Sequence, residues 1–536
     1  MKILLAQINP TVGALEYNRD LIISVIKQRS LDVDIIVFPE LALTGYPPGD
    51  LLLESHFIQQ TESILCQIIK TVSSAVVILG TVRRSGKILF NTAAVIQNGK
   101  LLGYRDKTLL PTYDVFDEDR YFTPADVVET FQLTIAGEPV KIGVEICEDL
   151  WDREYPQKVS SELFSQQSDI IINISASPYC VGKNEERLKL VREKVLEGRR
   201  WFFYCNLVGA QDELIFDGGS FAVNPDGVLM CKAKPFETDQ LLVDTKLSKP
   251  STPTEVTLRE EEIFSALTLG VKDYFIKTGF KTAILGLSGG IDSALTCAIA
   301  VNALGADNVI GISMPSPFSS EHSITDARRL AENLGIAFHL MPITEINEQF
   351  LITVDPLFKN TESGLAEENL QARIRGNILM SLANKIHGLV LNTGNKTEIA
   401  LGYCTLYGDM CGALGVISDL NKIQVYEISR WVNSSLGKEI IPQSTLTKAP
   451  SAELKPEQVD PFDYDTVSPL VDEIISENRH LNYLVRKGFD EKLVRELLGM
   501  IRVNEYKRRQ AAPSLRVSSK AFGIGRRYPI VNGFRE

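Results

Sequence analysis

Residues 285–295 read LGLSGGIDSAL. An apolar strand, TAILGLS (282–288), runs into a pair of glycines, and the pattern predicts a helix from Ile291. Glycines let a backbone approach a phosphate, and the free N–H groups of a helix start then point at it. Ser288 and Ser293 add hydroxyl donors, and Asp292 offers a hard oxygen ligand suited to Mg²⁺. A glycine-rich turn that merely starts a helix is the plain alternative; six residues of Ser-Gly-Gly-x-Asp-Ser type in a strand–loop–helix setting outweigh it. The loop lacks the Lys-Ser/Thr ending of a Walker A sequence, so kinase-type transfer of a γ-phosphate fits poorly.

Working outward, the second half has a βαβ rhythm. Strands are expected at VIGISMP (309–315), FHLMPI (338–343) and LVLNTG (389–394), with helices over 259–277, from Glu321 and across 367–387. That alternation predicts a doubly wound parallel sheet. Upstream, DTKLSKPSTPTEVTL (244–258) is rich in Pro, Ser and Thr, and it reads as a linker at 246–258 between units 1–245 and 259–536. The first half alternates apolar strands with helical stretches: KILLAQINP (2–10), DIIVFPE (34–40), AVVILG (75–80), VKIGVEIC (140–147), DIIINIS (169–175) and FFYCNLVG (202–209). Hairpins are expected to turn at Asn98-Gly99 and at Pro225-Asp226-Gly227. Near-continuous apolar strands between helices predict a layered α/β sandwich.

The 536 residues carry 56 Lys+Arg against 68 Asp+Glu, a formal charge of -12. That balance argues against a nucleic-acid partner, which requires a basic footprint. No run approaches the ~20 apolar residues of a membrane helix, and the start lacks the features of a signal peptide. Eight scattered cysteines without CxxC spacing, and only five histidines, point to a reduced cytoplasm and away from a Cys/His metal centre. One stretch departs from the acidic balance: Arg502–Arg527 holds eight Lys/Arg and one Glu, read as a solvated tail or as a local anion-binding lid.

Three residues stand near the ends of apolar strands: Glu40 in IIVFPE, Lys107 in GYRDKTLLP and Cys147 in GVEICEDLW. A buried cysteine is ordinarily a small hydrophobe. Cys147 differs because Glu-Asp follows at once, and a thiol beside a base and a cation is an activated nucleophile. Spacing alone leaves open whether the three meet.

SGGIDS resembles the pyrophosphate loop of the N-type ATP pyrophosphatases. Within that group, LVLNTGNKTEIALGYCTLYGDMCGALGVISDLNK (389–422), KAPSAEL (448–454) and EYKRRQAAP (505–513) resemble NAD synthetase over most of 259–536. The resemblance implies that Gly286, Leu287, Ser288, Gly289, Gly290, Ile291, Asp292 and Ser293 hold the phosphates of ATP, with Thr393 a further contact. Asp292 and Glu398 would hold Mg²⁺. Asn369, Glu398 and Asp409 would take deamido-NAD⁺, Lys422 and Ser451 would stabilise the departing phosphate charge, and Lys507 would close over substrate.

FPELALTGYPP (38–48), KTLLPTYDVFDEDRYF (107–122), GVEICEDLW (143–151) and NISASPYCVGK (173–183) are similar to the nitrilase-type glutaminase fused to NAD synthetase, which implies an αββα sandwich. By that likeness Glu40 is the base, Cys147 the nucleophile on L-glutamine and Lys107 the cation facing the tetrahedral intermediate. Tyr46, Tyr113, Ser177 and Lys183 would line the glutamine pocket. Some relatives carry Arg at the last position, and Lys cannot make Arg's bidentate grip on a carboxylate. Together the halves imply glutamine-dependent synthesis of NAD⁺ with ATP going to AMP and diphosphate, a shielded ammonia route and a homo-oligomer. Another amide-forming ATP pyrophosphatase, a scaffold with decayed sites and a synthetase fed mainly by ammonia are the rival readings.

Overall fold

Along Lys2–Gln7, KILLAQ, successive side chains enter two different cores. In the computed structural model Ile3 and Leu5 pack with Val144 and Ile172, while Leu4 and Ala6 pack with Ile22, Ile26 and Ile68. A period of two with both faces buried places the strand in a sheet covered on each side. The structure describes residues 1–246, 249–250, 258–435, 437–455 and 458–534, so most of the stretch read as a linker lies outside the described residues. The chain divides into two units, Met1–Val256 and Thr257–Glu536.

The first unit has two six-stranded sheets. One runs, in spatial order, Asp239–Asp244, Lys2–Gln7, Ile35–Val37, Val76–Ser85, Ile88–Gln97, Lys100–Asp106; the other Leu229–Lys232, Phe221–Val223, Trp201–Asn206, Ile170–Ser175, Glu138–Ile146, Phe131–Ile135. Helices Leu15–Arg29 and Ser55–Thr71 cover the outer face of the first sheet. Val159–Ser165 and Lys183–Gly198 cover the second, where Leu163, Leu190 and Val195 meet Ile171, Phe202 and Tyr204. The layers are therefore helix, sheet, sheet, helix. The hairpin at Asn98-Gly99 is present, with φ of 48° and 69°, the left-handed pair that a two-residue turn between twisted strands demands. Parallel pairing of Lys2–Gln7, Ile35–Val37 and Val76–Ser85, and of Glu138–Ile146, Ile170–Ser175 and Trp201–Asn206, brings several strand ends to one side of each sheet.

The second unit is built on five parallel strands ordered Ala337–Leu340, Val309–Ser313, Ala283–Gly286, Leu389–Asn392, Leu414–Gly415. The chain leaves the central strand toward one edge and returns on its other side, so the 287–290 loop sits at the switch point outside the carboxyl ends, where ligands bind in open α/β sheets. Helix Thr344–Phe358 is not among the helices read from the sequence, and neither are Lys422–Ser435, Tyr464–Ile475 and Glu491–Val503 further along. Pro356 lies inside the first of these and Ile346, Phe350, Ile352 and Leu357 stay exposed, so its apolar residues mark no buried stripe.

The basic stretch is no solvated tail. Arg508 is buried and donates to the carbonyls of Ile399 and Ala400, Lys507 to those of Gly402 and Cys404, and Arg516 to that of Ser518. These cations satisfy carbonyls left open where helix Lys396–Leu401 ends and around the final turns, which is why they cluster. Among the described residues no helix is long and apolar enough to cross a membrane.

Candidate active sites

In the first unit Glu40 lies just beyond Ile35–Val37, Lys107 directly follows Lys100–Asp106, and Cys147 directly follows Glu138–Ile146. The fold brings all three together, each buried. Lys107 Nζ donates to Glu40 Oε1 at 2.7 Å, Glu40 Oε2 accepts the Ala176 amide at 2.8 Å, and Asn91 Nδ2 donates to Glu40 Oε1 at 2.7 Å. Cys147 has φ of 43°, a left-handed conformation that costs a non-glycine residue about 1–2 kcal/mol and ends its strand abruptly in the 3₁₀ turn Cys147–Leu150. Asp149 anchors that turn by accepting the amides of Thr108 and Leu109 at 3.0 and 2.9 Å and that of Ile146 at 3.1 Å. One carboxylate thus ties the segment bearing Lys107 to the turn bearing Cys147.

A fourth charged residue, Glu118, was not anticipated. It accepts from Lys107 Nζ at 2.8 and 2.9 Å and from the Tyr46 hydroxyl at 2.9 Å. Tyr46 is therefore committed to Glu118. Nothing in YDVFDEDRYF marks this acid among its three neighbouring carboxylates; only folding selects it. Burial pulls the Lys107 ammonium toward neutrality, but Glu118 and Glu40 outweigh that and hold it above its ordinary range. Burial raises the Cys147 thiol, Glu40 adds to the rise, and Lys107 opposes it. A cysteine so placed favours the thiol form, and its use as a nucleophile would require a base at the moment of attack.

Around this centre, the Tyr113 hydroxyl donates to Glu148 at 3.0 Å, and Tyr155 donates to the same carboxylate at 3.1 Å. Ser177 Oγ accepts from Arg187 Nε at 3.1 Å, and Arg187 is clamped on Asp217 at 2.7 Å. Lys183 Nζ bonds Glu186 at 2.9 Å.

On the strand that leads to Cys147, Glu145 is fully buried, with Ser160 and Asn173 as donors at 2.8 and 3.1 Å. Burial lifts its carboxyl from 4.5 to about 7. The folded chain then binds a proton that the unfolded chain has released, so this residue's contribution falls as pH rises from about 4.5 through 7. Glu145→Gln is expected to raise the melting temperature at pH 8, gaining on the order of 2 kcal/mol, and to change little at pH 5. Thermal melts at the two pH values check this; an equal effect at both overturns it.

The second unit holds a pocket of about 310 Å³ lined by the 286–293 loop, Thr393, Glu398, Asp409, Lys422 and Ser451. Gly289 has φ of 77°, and a Cβ there would fall 2.3 Å from the Ser323 carbonyl, so only glycine fits. Ser288 Oγ accepts the Gly290 amide at 3.2 Å, and Ser293 Oγ donates to the Gly290 carbonyl at 3.0 Å, fixing the loop. Lys422 Nζ reaches Asp292 Oδ2 at 2.5 Å and Glu398 Oε1 at 3.3 Å. Asn395 Nδ2 donates to Asp292 Oδ1 at 3.0 Å, and Asn395 caps the helix that carries Glu398. Burial raises Glu398 to about 7, with Lys422 opposing and Asp292 reinforcing.

Asn369 and Lys507 stand one step back from that lining. Asn369 Oδ1 accepts from the Thr405 hydroxyl at 2.7 Å, and the Thr405 amide donates to Asp409 at 2.7 Å. Lys507 acts on Asp409 through its charge while bracing Gly402 and Cys404. Arg375 and Lys448 also line the pocket and were not foreseen. Arg375 sits two residues from Arg373 and nothing local separates the pair, whereas Lys448 heads KAPSAEL, a segment quoted above without a role for its lysine.

Residues 2–250 match the family model for carbon-nitrogen hydrolases and 263–511 that for NAD synthase. The class is thus a carbon–nitrogen hydrolase unit joined to an NAD synthase unit, a carbon–nitrogen ligase. The chain is 45% identical to the glutamine-dependent NAD(+) synthetase of Synechocystis over 559 residues, covering 99% of each chain. It is 41% identical to that of Thermotoga maritima, covering 100% of this chain and 99% of the other. A solved glutamine-dependent NAD⁺ synthetase from Acinetobacter baumannii in complex with ADP is 38% identical, covers 99% of this chain and 98% of that one, and superposes with a TM-score of 0.80. The chain belongs to the glutamine-dependent NAD(+) synthetase family.

Proposed function

We propose that this chain makes NAD⁺ from deamido-NAD⁺, ATP and L-glutamine, releasing glutamate, AMP and diphosphate. The observation that carries the reading is one chain bearing both the buried Glu40–Lys107–Cys147 cluster and a glycine loop facing Lys422, Asp292 and Glu398.

At the first site Glu40 takes the thiol proton as Sγ attacks the side-chain amide carbon. Lys107, held cationic by Glu40 and Glu118, stabilises the developing oxyanion. The proton on Glu40 passes to the departing nitrogen, ammonia leaves, and a γ-glutamyl thioester remains. Water, deprotonated by the same carboxylate, releases glutamate and restores the thiol. Glu148, with its two tyrosine donors, lies beside the nucleophile and suits the substrate's α-ammonium, while Lys183 suits its α-carboxylate. Tyr46, Tyr113 and Ser177 shape the same pocket.

At the second site the pyridine carboxylate attacks the α-phosphorus of ATP and diphosphate leaves. Ammonia then displaces AMP from the carboxyl carbon and gives the amide. The 286–293 loop and Thr393 hold phosphates, and Lys422 with Ser451 faces the departing charge. Asp409, braced through Thr405, Asn369 and Lys507, holds the pyridine end. Asp292 and Glu398 are hard donors converging on one cation, the set that Mg²⁺ takes alongside substrate phosphates and its own waters, so the residues fit that ion. Bound there it supplies positive charge to the phosphates. The exposed apolar face of helix Thr344–Phe358 supports assembly as a homo-oligomer.

The test is incubation with deamido-NAD⁺, ATP, Mg²⁺ and amide-¹⁵N glutamine. The expected result is NAD⁺ labelled in its carboxamide, with AMP formed one for one. Absence of NAD⁺ with either glutamine or ammonium sinks the reading.

A further inference from the structure

Glu40, Lys107 and Cys147 act on an amide and tell nothing of what it is attached to. Discrimination of glutamine from other primary amides rests on its head, a positive and a negative group on one carbon. The structure offers the opposite pair. Glu148 follows the nucleophile and is pinned by two tyrosine hydroxyls; Lys183 opens the helix Lys183–Gly198 and lies within electrostatic reach of Glu148.

A lysine in this place poses a geometrical difficulty. Arginine presents a rigid fork to a carboxylate, whereas an ammonium is a point charge on a stem with four rotatable bonds, so something else must fix its position. Two neighbours do so here. Lys183 Nζ sits 3.7 Å from the centroid of the Trp151 ring, well inside cation–π range. It also bonds Glu186 Oε2 at 2.9 Å. Trp151 is itself tied to the nucleophile turn, because its amide donates to the Glu148 carbonyl at 2.8 Å. The indole face therefore holds the ammonium in a frame set by Cys147 and Glu148. Glu186 differs: its side chain is 57% exposed and it approaches from one turn further along the same helix. An exposed pair of that kind is weak and gives way to a better anion.

We propose that Trp151 is a positioning residue for the glutamine head group, acting through Lys183, and that Glu186 occupies the place on Lys183 that the substrate α-carboxylate takes over. The proposal rests on the reading of the first unit as a glutaminase.

Steady-state release of ammonia from three amides tests it: glutamine; glutaramate, which keeps the carboxylate and lacks the α-amine; and 4-aminobutanamide, which keeps the amine and lacks the carboxylate. Trp151→Leu is expected to raise KM for glutamine and glutaramate about five- to ten-fold at nearly constant kcat, and to leave 4-aminobutanamide where it was. Trp151→Phe is expected to restore most of the loss, since a ring face remains. Glu186→Gln, an exposed change that does not threaten folding, is expected to lower KM for glutamine two- to three-fold and to have no effect on 4-aminobutanamide. A Trp151→Leu effect equal on all three amides, a loss confined to kcat, or a phenylalanine variant no better than leucine overturns the positioning role. An unchanged KM in Glu186→Gln overturns the competition. Lys183→Ala separates the two levels of argument: if it leaves glutamine KM untouched, Lys183 does not hold the head group and the underlying pocket assignment fails with the proposal. If it raises that KM strongly while Trp151→Leu does nothing, only the proposal fails.

Discussion

Cys147→Ala is expected to abolish glutamine-driven NAD⁺ formation, by about 10⁴-fold or more, and to leave ammonium-driven formation at the wild-type rate. The size follows from covalent chemistry: without Sγ no thioester forms, and the buried cations and dipoles around the site have no nucleophile to assist. The substitution is mild for the fold. Alanine removes one sulfur from a small side chain that is 5% exposed, and it meets the same left-handed backbone that cysteine already occupies. A loss caused by unfolding would show in the melting curve, which is expected to shift by a few degrees at most. Parallel assays with glutamine and ammonium, quantifying NAD⁺, AMP and glutamate, check it. Retained glutamine-driven synthesis would place the nucleophile elsewhere. Loss of the ammonium-driven reaction as well would show that the two sites do not work independently.

How much of this was legible before folding depends on where each signal lives. The phosphate loop was readable because its chemistry is local: Gly289 is forced by a single backbone approach to Ser323, and the neighbouring serines bond within the loop. Strand periodicity was readable for the same reason, and even the Asn98-Gly99 turn stands at its expected place. The charged network of the first unit is different in kind. Glu40, Asn91, Lys107 and Glu118 meet only because four separate segments converge, and neither Glu118 nor Asn91 differs locally from any other polar residue. The basic stretch at the end misled for a related reason. A run of Lys and Arg reads as solvated unless one knows that open carbonyls await it, and those carbonyls, of Ile399, Ala400 and Gly402, lie about a hundred residues earlier. Helix Thr344–Phe358 escaped because its apolar residues face outward as well as inward. Periodicity registers burial, and where burial is incomplete it is silent.

Lys422→Met should stop both the glutamine-driven and the ammonium-driven reaction, lowering each about 10²- to 10³-fold, the ordinary consequence of removing one preorganised charge from a developing anion. The contrast with Cys147→Ala is the point of the pair, since one change silences a donor and the other the acceptor. Stability offers a second readout. Lys422 is buried, 2.5 Å from Asp292 and 3.3 Å from Glu398, with the Tyr464 ring 5.3 Å away. Without its ammonium two carboxylates face each other in a largely buried pocket, at a cost near 3 kcal/mol, the lower end for a broken buried pair because both acids keep some solvent contact. The sign of the pH dependence follows. Glu398, already raised to about 7, is pushed higher once Lys422 no longer opposes Asp292, so the folded variant holds a proton that the unfolded chain has released above 4.5. Its stability therefore falls with rising pH, and the gap in melting temperature between wild type and variant is expected to widen from pH 5.5 to pH 8. Added Mg²⁺ is expected to close part of that gap, because a divalent ion can take the place of the missing cation between Asp292 and Glu398. A gap independent of pH and of Mg²⁺ would mean that the methionine side chain packs badly and that charge is not the cause. Full ammonium-driven activity in the variant would remove Lys422 from the chemistry of the second site altogether.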